Sequence, residues 1–173
     1  MNDKDMLQAR QYFDKIANIC DIIDEKGWWN KTDNVNLTLR DILQSGIEDF
    51  IFYLSASDGT VSDEEVSAYR AITGSKGDNF NDMKKRSLPT ADLKNEPPLI
   101  FKLLSRAETN AIARGARFEN SILGSVMALY RVIGHTIMAA DGNISQSEKN
   151  DFDVIMQTIA EYIEENDAVA KSF

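Results

Sequence analysis

Apolar side chains recur every three or four positions along most of the first half of the chain, which is the spacing of amphipathic helices. This spacing predicts a helix over residues 3–26, for which Gly27 is a suitable stop. A second helix is predicted to begin after Thr38, a preferred N-cap residue. A short third helix is predicted from about Asp63 to Thr73, ahead of Gly74.

The second half of the chain continues the helical pattern after a polar interruption. Residues 74–97 are polar and punctuated by Gly and Pro, so we expect a long loop with one short helix inside it. Pro97 and Pro98 suit the start of the next helix, and two more helices are predicted over 118–140 and about 146–165. No segment sustains a period of two. The predicted fold is therefore all-α, a compact bundle of about six to seven helices.

Two corners between predicted helices repeat the same residue types at a fixed offset. Asp141 follows Asp58 by 83 positions, as Glu148 follows Glu65, and apolar positions on both sides match at the same offset. We therefore predict an internal duplication with two helix–DGxhSxxE–helix units, where h is apolar. Such a duplication can pack with its two corners near each other. The identical residues are Ala56, Asp58, Gly59, Ser62 and Glu65 in the first corner and Ala139, Asp141, Gly142, Ser145 and Glu148 in the second.

Helix capping alone explains much of this corner. Gly59 can take the left-handed conformation that ends a helix, and Ser62 can cap the next helix. Glu65, three residues after Ser62, completes a capping box, and such a cap contributes about 0.5–2 kcal/mol. Asp58 and Asp141 fit less well, because an aspartate in the last turn of a helix faces the negative end of the macrodipole. An aspartate beside a glycine is, however, also good turn chemistry.

The acids of the two corners also suit a hard cation. Each aspartate is followed by a glutamate seven positions later across the bend, and calcium prefers such oxygen clusters. A regular EF-hand is excluded, because apolar or small residues occupy its first and third ligand positions in both copies. The candidate metal ligands are Asp58, Glu65, Asp141 and Glu148, with calcium the most suitable divalent cation.

The segments "ASDGTVSDEE" and "AADGNISQSE", each after an apolar helix, resemble the TerB-like tellurite-resistance family. The resemblance covers roughly residues 38–165. It implies an all-helical bundle with an acidic, divalent-cation-binding surface in a bacterial stress or tellurite-resistance system, with the same four acids as ligands. The expected organisation is an N-terminal helix and connector (1–37), a TerB-like helical domain (38–165) and a C-terminal tail (166–173). The stretch 74–97 and the N-terminal helix with "WWNK" depart from the family pattern.

Composition and charge limit the expected partners and location. The net charge of −9, from 28 acidic and 19 basic residues, repels a phosphate backbone, so a protein partner is expected and nucleic acid is not. The N-terminus lacks the apolar segment of a secretory signal, and no apolar run is long enough for a membrane span. We therefore expect a cytoplasmic protein. A locally basic segment around Glu108 is expected to be a solvated face; its bases are Lys102, Arg106, Arg114 and Arg117.

The remaining reactive or aromatic residues favour structural roles. His135 is the only histidine, which excludes a multi-histidine zinc site, and Cys20, the only cysteine, lies on an apolar helical face. At least one of Trp28 and Trp29 is expected to fold back onto the core. We expect no enzymatic activity. Two hypotheses follow: a divalent-cation-binding sensory or scaffolding module, or a metal-free protein-interaction domain whose corners are purely structural caps.

Overall fold

The computed structural model describes residues 3–29, 37–75 and 92–172. Within these ranges the chain forms six α-helices, a short 3-10 turn at Ala170–Ser172 and no β-strand. The predicted all-α bundle is confirmed, while most of the loop and short helix predicted within 74–97 lies outside the described residues. The helices are α1 (Asp3–Lys26), α2 (Leu39–Ser55), α3 (Asp63–Thr73), α4 (Leu99–Ala113), α5 (Ile122–Met138) and α6 (Gln146–Asn166).

Capping residues set the ends of the first three helices at the predicted positions. Gly27 follows α1 with φ 60°, and Gly74 follows α3 with φ 73°, a left-handed conformation that glycine adopts without steric cost. At the start of α2, the Thr38 hydroxyl accepts a hydrogen bond from the Asp41 amide at 3.1 Å. The Asp41 carboxylate accepts one from the Thr38 amide at 2.9 Å, which completes a capping box.

The helix predicted over 118–140 is shorter than expected, because it begins at Ile122. Ser121 has extended backbone angles (φ −67°, ψ 136°), and its hydroxyl accepts a hydrogen bond from the Leu123 amide. This cap starts the helix four residues after Phe118, which lies outside it. The start of α4 after Pro98 agrees with the prediction, and its first residue, Leu99, is exposed.

Helix α5 lies at the centre of the bundle and packs against every other helix. Its contact with α6 depends on Gly134, since a Cβ at that position would lie 2.7 Å from Cδ2 of Phe152. The single hydrophobic core also includes the buried face of α1, among them Phe13 and Ile16. The N-terminal helix therefore shares its core with the helices that carry the two corners.

The tryptophans connect α1 to the rest of the bundle. Trp29 is buried, which confirms that at least one of the pair folds onto the core. Its indole N–H donates to the carboxylate of Asp24, which also accepts the Leu39 amide at 2.9 Å. Trp28 is half-buried and packs edge-on against Phe118, with ring centroids 6.0 Å apart. Asp24 thus fixes both Trp29 and the first turn of α2.

Candidate functional site

The first corner, residues 56–65, is built by a helix stop followed by a capping box. Helix α2 ends at Ser55, and Gly59 turns the chain with φ 87°. The Ser62 hydroxyl accepts a hydrogen bond from the Glu65 amide at 3.1 Å, and Glu65 Oε2 accepts one from the Ser62 amide at 2.7 Å. The predicted capping box is confirmed. It holds the Glu65 side chain against the protein, where the residue is only 4% exposed.

Asp58 has a local role that the sequence interpretation did not assign. It lies beyond the end of α2 rather than in its last turn, so the expected conflict with the macrodipole does not arise. Its Oδ1 atom accepts a hydrogen bond from the Thr60 amide at 2.9 Å and another from the Thr60 hydroxyl at 2.9 Å. Asp58 therefore forms an Asx turn that shapes the corner.

The second corner, residues 139–148, has the same geometry. Gly142 has φ 78°, and Asp141 Oδ1 accepts a hydrogen bond from the Asn143 amide at 2.8 Å. The Ser145 hydroxyl accepts the Glu148 amide at 3.1 Å, and Glu148 Oε2 accepts the Ser145 amide at 2.7 Å. Glu148 is also 4% exposed. The preceding helices, α2 and α5, have the same length of 17 residues and corresponding bounds.

This match does not by itself demonstrate a duplication. A helix stop, an Asx turn and a capping box would give the same local geometry wherever this short sequence occurs. The elements beyond the corners differ, since α3 has 11 residues and α6 has 21. The internal duplication therefore stays a prediction.

The first corner is attached to the helix that follows the second corner. Ser57 Oγ donates to Asp151 Oδ2 in α6 at 2.8 Å, and Lys94 Nζ forms an ion pair with Asp151 Oδ1 at 2.6 Å. Asp151 thus connects the first corner, the turn before α4 and the first half of α6. The sequence analysis missed this residue, because a surface aspartate without a motif carries no signal of its long-range partners.

Glu65 is electrostatically coupled to the acids of the second corner. Its pKa is raised from the usual 4.5 to about 7, chiefly by burial and also by the negative charges of Glu148 and Asp141, against the lowering effect of its bonds to Ser62. This coupling acts between residues 76 and 83 positions apart in sequence. The structure therefore brings Glu65 within electrostatic range of Glu148 and Asp141.

Each of the four candidate ligands uses one carboxylate oxygen for its local hydrogen bonds. Within the described residues, the second oxygen of each side chain accepts none: Oδ2 of Asp58 and Asp141, and Oε1 of Glu65 and Glu148. The two aspartates are exposed and the two glutamates are buried. No group of three or more His, Cys, Asp or Glu side chains in the described ranges is arranged to hold a metal ion. The side chains of the four acids therefore point to their own caps and turns.

The other residues considered for chemistry have structural surroundings. His135 is exposed and packs on Phe152, with ring centroids 4.8 Å apart. Cys20 is buried, and burial together with Asp24 and Asp21 raises the pKa of its thiol to about 12, which disfavours the reactive thiolate. Both positions agree with the structural roles expected from the sequence.

The basic face differs from expectation at one residue. Arg106, Arg114 and Arg117 are exposed, as expected for a solvated face. Glu108, in contrast, is fully buried: its carboxylate accepts hydrogen bonds from the Ile122 amide and from the Ser121 hydroxyl, the latter at 3.1 Å. It therefore caps α5 from the neighbouring α4. The sequence gives no direct sign of this role, because the two partners lie 13 and 14 residues away.

Comparisons of the chain with protein-family models, with curated proteins and with solved structures give no match. None of the helices in the described ranges is both long enough and apolar enough to cross a membrane. The functional interpretation therefore rests on the geometry of the two corners and on the resemblance noted in their sequence.

Proposed function

We propose that this chain is a non-enzymatic helical module whose two corners together bind a divalent cation, with calcium as the preferred ion. One observation carries the proposal: the charges of Glu148 and Asp141 act on Glu65, and each of the four acids retains an oxygen that accepts no hydrogen bond in the described part of the chain. Calcium takes six to eight oxygen ligands, with water completing incomplete protein sets. The ligands would be Asp58, Glu65, Asp141 and Glu148.

Binding would require the exposed aspartates to turn their second oxygens toward Glu65 and Glu148 while their corners stay capped. A cation placed there would also offset the repulsion between the buried glutamates. We therefore expect cation binding to stabilise the arrangement of the two corners.

A second candidate function is a metal-free protein-interaction domain. It is favoured by the local hydrogen bonds of all four acids and by the lack, among the described residues, of three acids arranged around one point. In this case the corners are architectural, and a protein partner binds elsewhere on the acidic surface. A cytoplasmic location and a role in a bacterial stress or tellurite-resistance system belong to both proposals. They rest on composition and on the resemblance of the corners.

Calorimetric titration with calcium separates the two candidates. The variant to compare with the wild type is Glu65→Gln/Glu148→Gln, because each glutamine keeps an acceptor for its capping box and loses the ligand charge. Glu64→Gln, an exposed residue in the same first turn as Glu65, is the matched control. Saturable binding in the wild type and in Glu64→Gln that is lost in the double variant supports the cation site. A wild type without saturable binding supports the metal-free domain.

A further inference from the structure

A cavity of about 200 Å³ lies between α2 and the start of α4, away from both corners. Its wall includes Ile42 and Gly46 from α2, Leu93 from the turn before α4, and Pro98 at the start of that helix. One ionisable group, Asp49, is among the lining residues. The cavity is therefore mostly apolar, with a single carboxylate in its wall, which is the usual composition of a small-molecule site.

Among the described residues Asp49 has no hydrogen-bonding partner, unlike the residue beside it. Glu48 accepts hydrogen bonds from Gln44 at 2.8 Å and from Ser75 at 3.1 Å. Asp49 is half-buried and, in the described part of the chain, accepts no hydrogen bond and forms no ion pair. Burial and the negative charge of Glu48 raise its pKa. A half-buried carboxylate without a partner is a costly feature in a folded protein.

The rim of the cavity is also unusual for this surface. Leu37 is 49% exposed and Leu99 is 56% exposed, and both line the cavity. They are two of the six large hydrophobic side chains that are exposed in the described ranges. An exposed apolar rim around a concave site marks a binding surface more often than an isolated exposed leucine does.

A second polar group without a partner lies behind the same wall. The hydroxyl of Tyr130 is buried and makes no hydrogen bond to any described residue. A Cβ at position 46 would lie 2.9 Å from this hydroxyl, so only glycine at this position of α2 leaves room for it. The negative charge of Asp49 contributes to raising the pKa of the phenol, which places the two groups in electrostatic contact. This end of the cavity is thus polar and negative.

We propose that the cavity binds a small organic cation, a protonated amine on an apolar body, with the ammonium group at Asp49 and the body between Leu37 and Leu99. An ammonium group offers three hydrogen-bond donors and a positive charge to pair with the carboxylate of Asp49. Since a cavity of 150 Å³ can hold benzene, a volume of about 200 Å³ suits roughly six to eight non-hydrogen atoms. The site is independent of the proposed cation site at the corners, because it shares no residue with it.

Titration of cyclohexylamine, followed by amide NMR of the full chain, tests this proposal. Cyclohexanol, of similar size but uncharged, is the ligand control. We expect a Kd for the amine of about 1 mM or tighter. We also expect amide shifts at residues 42–49 and 93–99, and binding of the alcohol at least about tenfold weaker. Equal affinities of the amine and the alcohol, or shifts that map elsewhere, would overturn the proposal without any substitution.

Two neutralising variants refine the test. Asp49→Asn removes the charge that faces the cavity, and Glu48→Gln removes the adjacent charge, which is held by other partners. We expect Asp49→Asn to weaken amine binding at least about tenfold and Glu48→Gln to change it less than about twofold. Equal losses in both variants would show only long-range attraction and would refute a site at Asp49. A third ligand, N-acetyl-lysine methylamide, carries an ammonium on a linear stem and should bind more weakly than cyclohexylamine. Tighter binding of the lysine derivative would instead assign the cavity to a lysine of a protein partner.

Discussion

Replacing Glu65 with glutamine should stabilise the protein at neutral and alkaline pH. Glu65 is buried, bonded to Ser62 and close to two other acids, and its pKa lies at about 7 instead of 4.5. The folded chain therefore holds the Glu65 proton more tightly than the unfolded chain does. Glutamine is uncharged at every pH, can accept the same hydrogen bond from the Ser62 amide, and can donate its amide hydrogens toward Glu148.

The sign and size of the effect follow from proton linkage. Below about pH 4.5 both states carry the proton, and the charge of Glu65 costs no stability. As the pH rises from about 4.5 to about 7, the unfolded state loses its proton first, so the free energy of unfolding of the wild type falls. At about 1.4 kcal/mol for each pKa unit, the full change is about 3–4 kcal/mol, and it is complete above about pH 8. Glu65→Gln removes this loss.

Urea unfolding at pH 5, 6, 7 and 8 measures the effect, with Glu64→Gln as the control. We expect the free energy of unfolding of Glu65→Gln minus that of the wild type to increase by about 2–3 kcal/mol across this range. For the exposed Glu64 the same difference should stay within about 0.5 kcal/mol. Because the other titrating groups are common to both proteins, they cancel in the difference. A difference for Glu65→Gln that does not change with pH would refute this assignment of the buried charge.

Five further substitutions, at Gly124, Gly134, Tyr130 and Glu108, test the packing by urea unfolding. Gly134→Ala should destabilise the protein by about 1–3 kcal/mol, because the added methyl overlaps Phe152. Gly124→Ala, on the same helix, meets no atom within 4 Å and should stabilise the protein by about 0.5–1 kcal/mol. Equal effects of the two substitutions would contradict the close contact between α5 and α6. Tyr130→Phe removes a buried hydroxyl without a partner and should stabilise the protein by about 1 kcal/mol, and a loss of stability would reveal a hydrogen bond there. Glu108→Ala should lower the free energy of unfolding by about 1–3 kcal/mol, and Glu108→Gln should lower it less, since only glutamine keeps an acceptor for the first amide of α5. A larger loss for Glu108→Gln than for Glu108→Ala would refute the role of Glu108 as a cap.

Features determined by neighbouring residues could be predicted from the sequence. The bounds of α1 and α3, the capping boxes at Ser62 and Ser145, and the stop at Gly74 all depend on residues within one helical turn. The all-α class followed from the apolar spacing for the same reason. The late start of α5 was missed because the apolar spacing of the helix continues back to Phe118. That spacing does not show that Ser121 caps the helix.

Features determined by distant residues could not be predicted in this way. The buried cap by Glu108, the bond from Ser57 to Asp151 and the absence of a partner for Asp49 all depend on how the helices pack. The candidate ligands were found because their motif occurs twice. The orientation of their side chains was not predicted, because an aspartate that forms an Asx turn and an aspartate that binds a metal have the same sequence signature.

The pKa of Glu65, measured by carbon-detected NMR with and without calcium, tests the proposed cation site most directly. In calcium-free buffer we expect Glu65 to titrate near pH 7, because of its burial and the acids of the second corner. At saturating calcium the pKa should fall by at least about one unit, since a nearby cation favours the charged carboxylate. A pKa near 7 that is the same with and without calcium would contradict the cation site and leave the two corners as architecture alone.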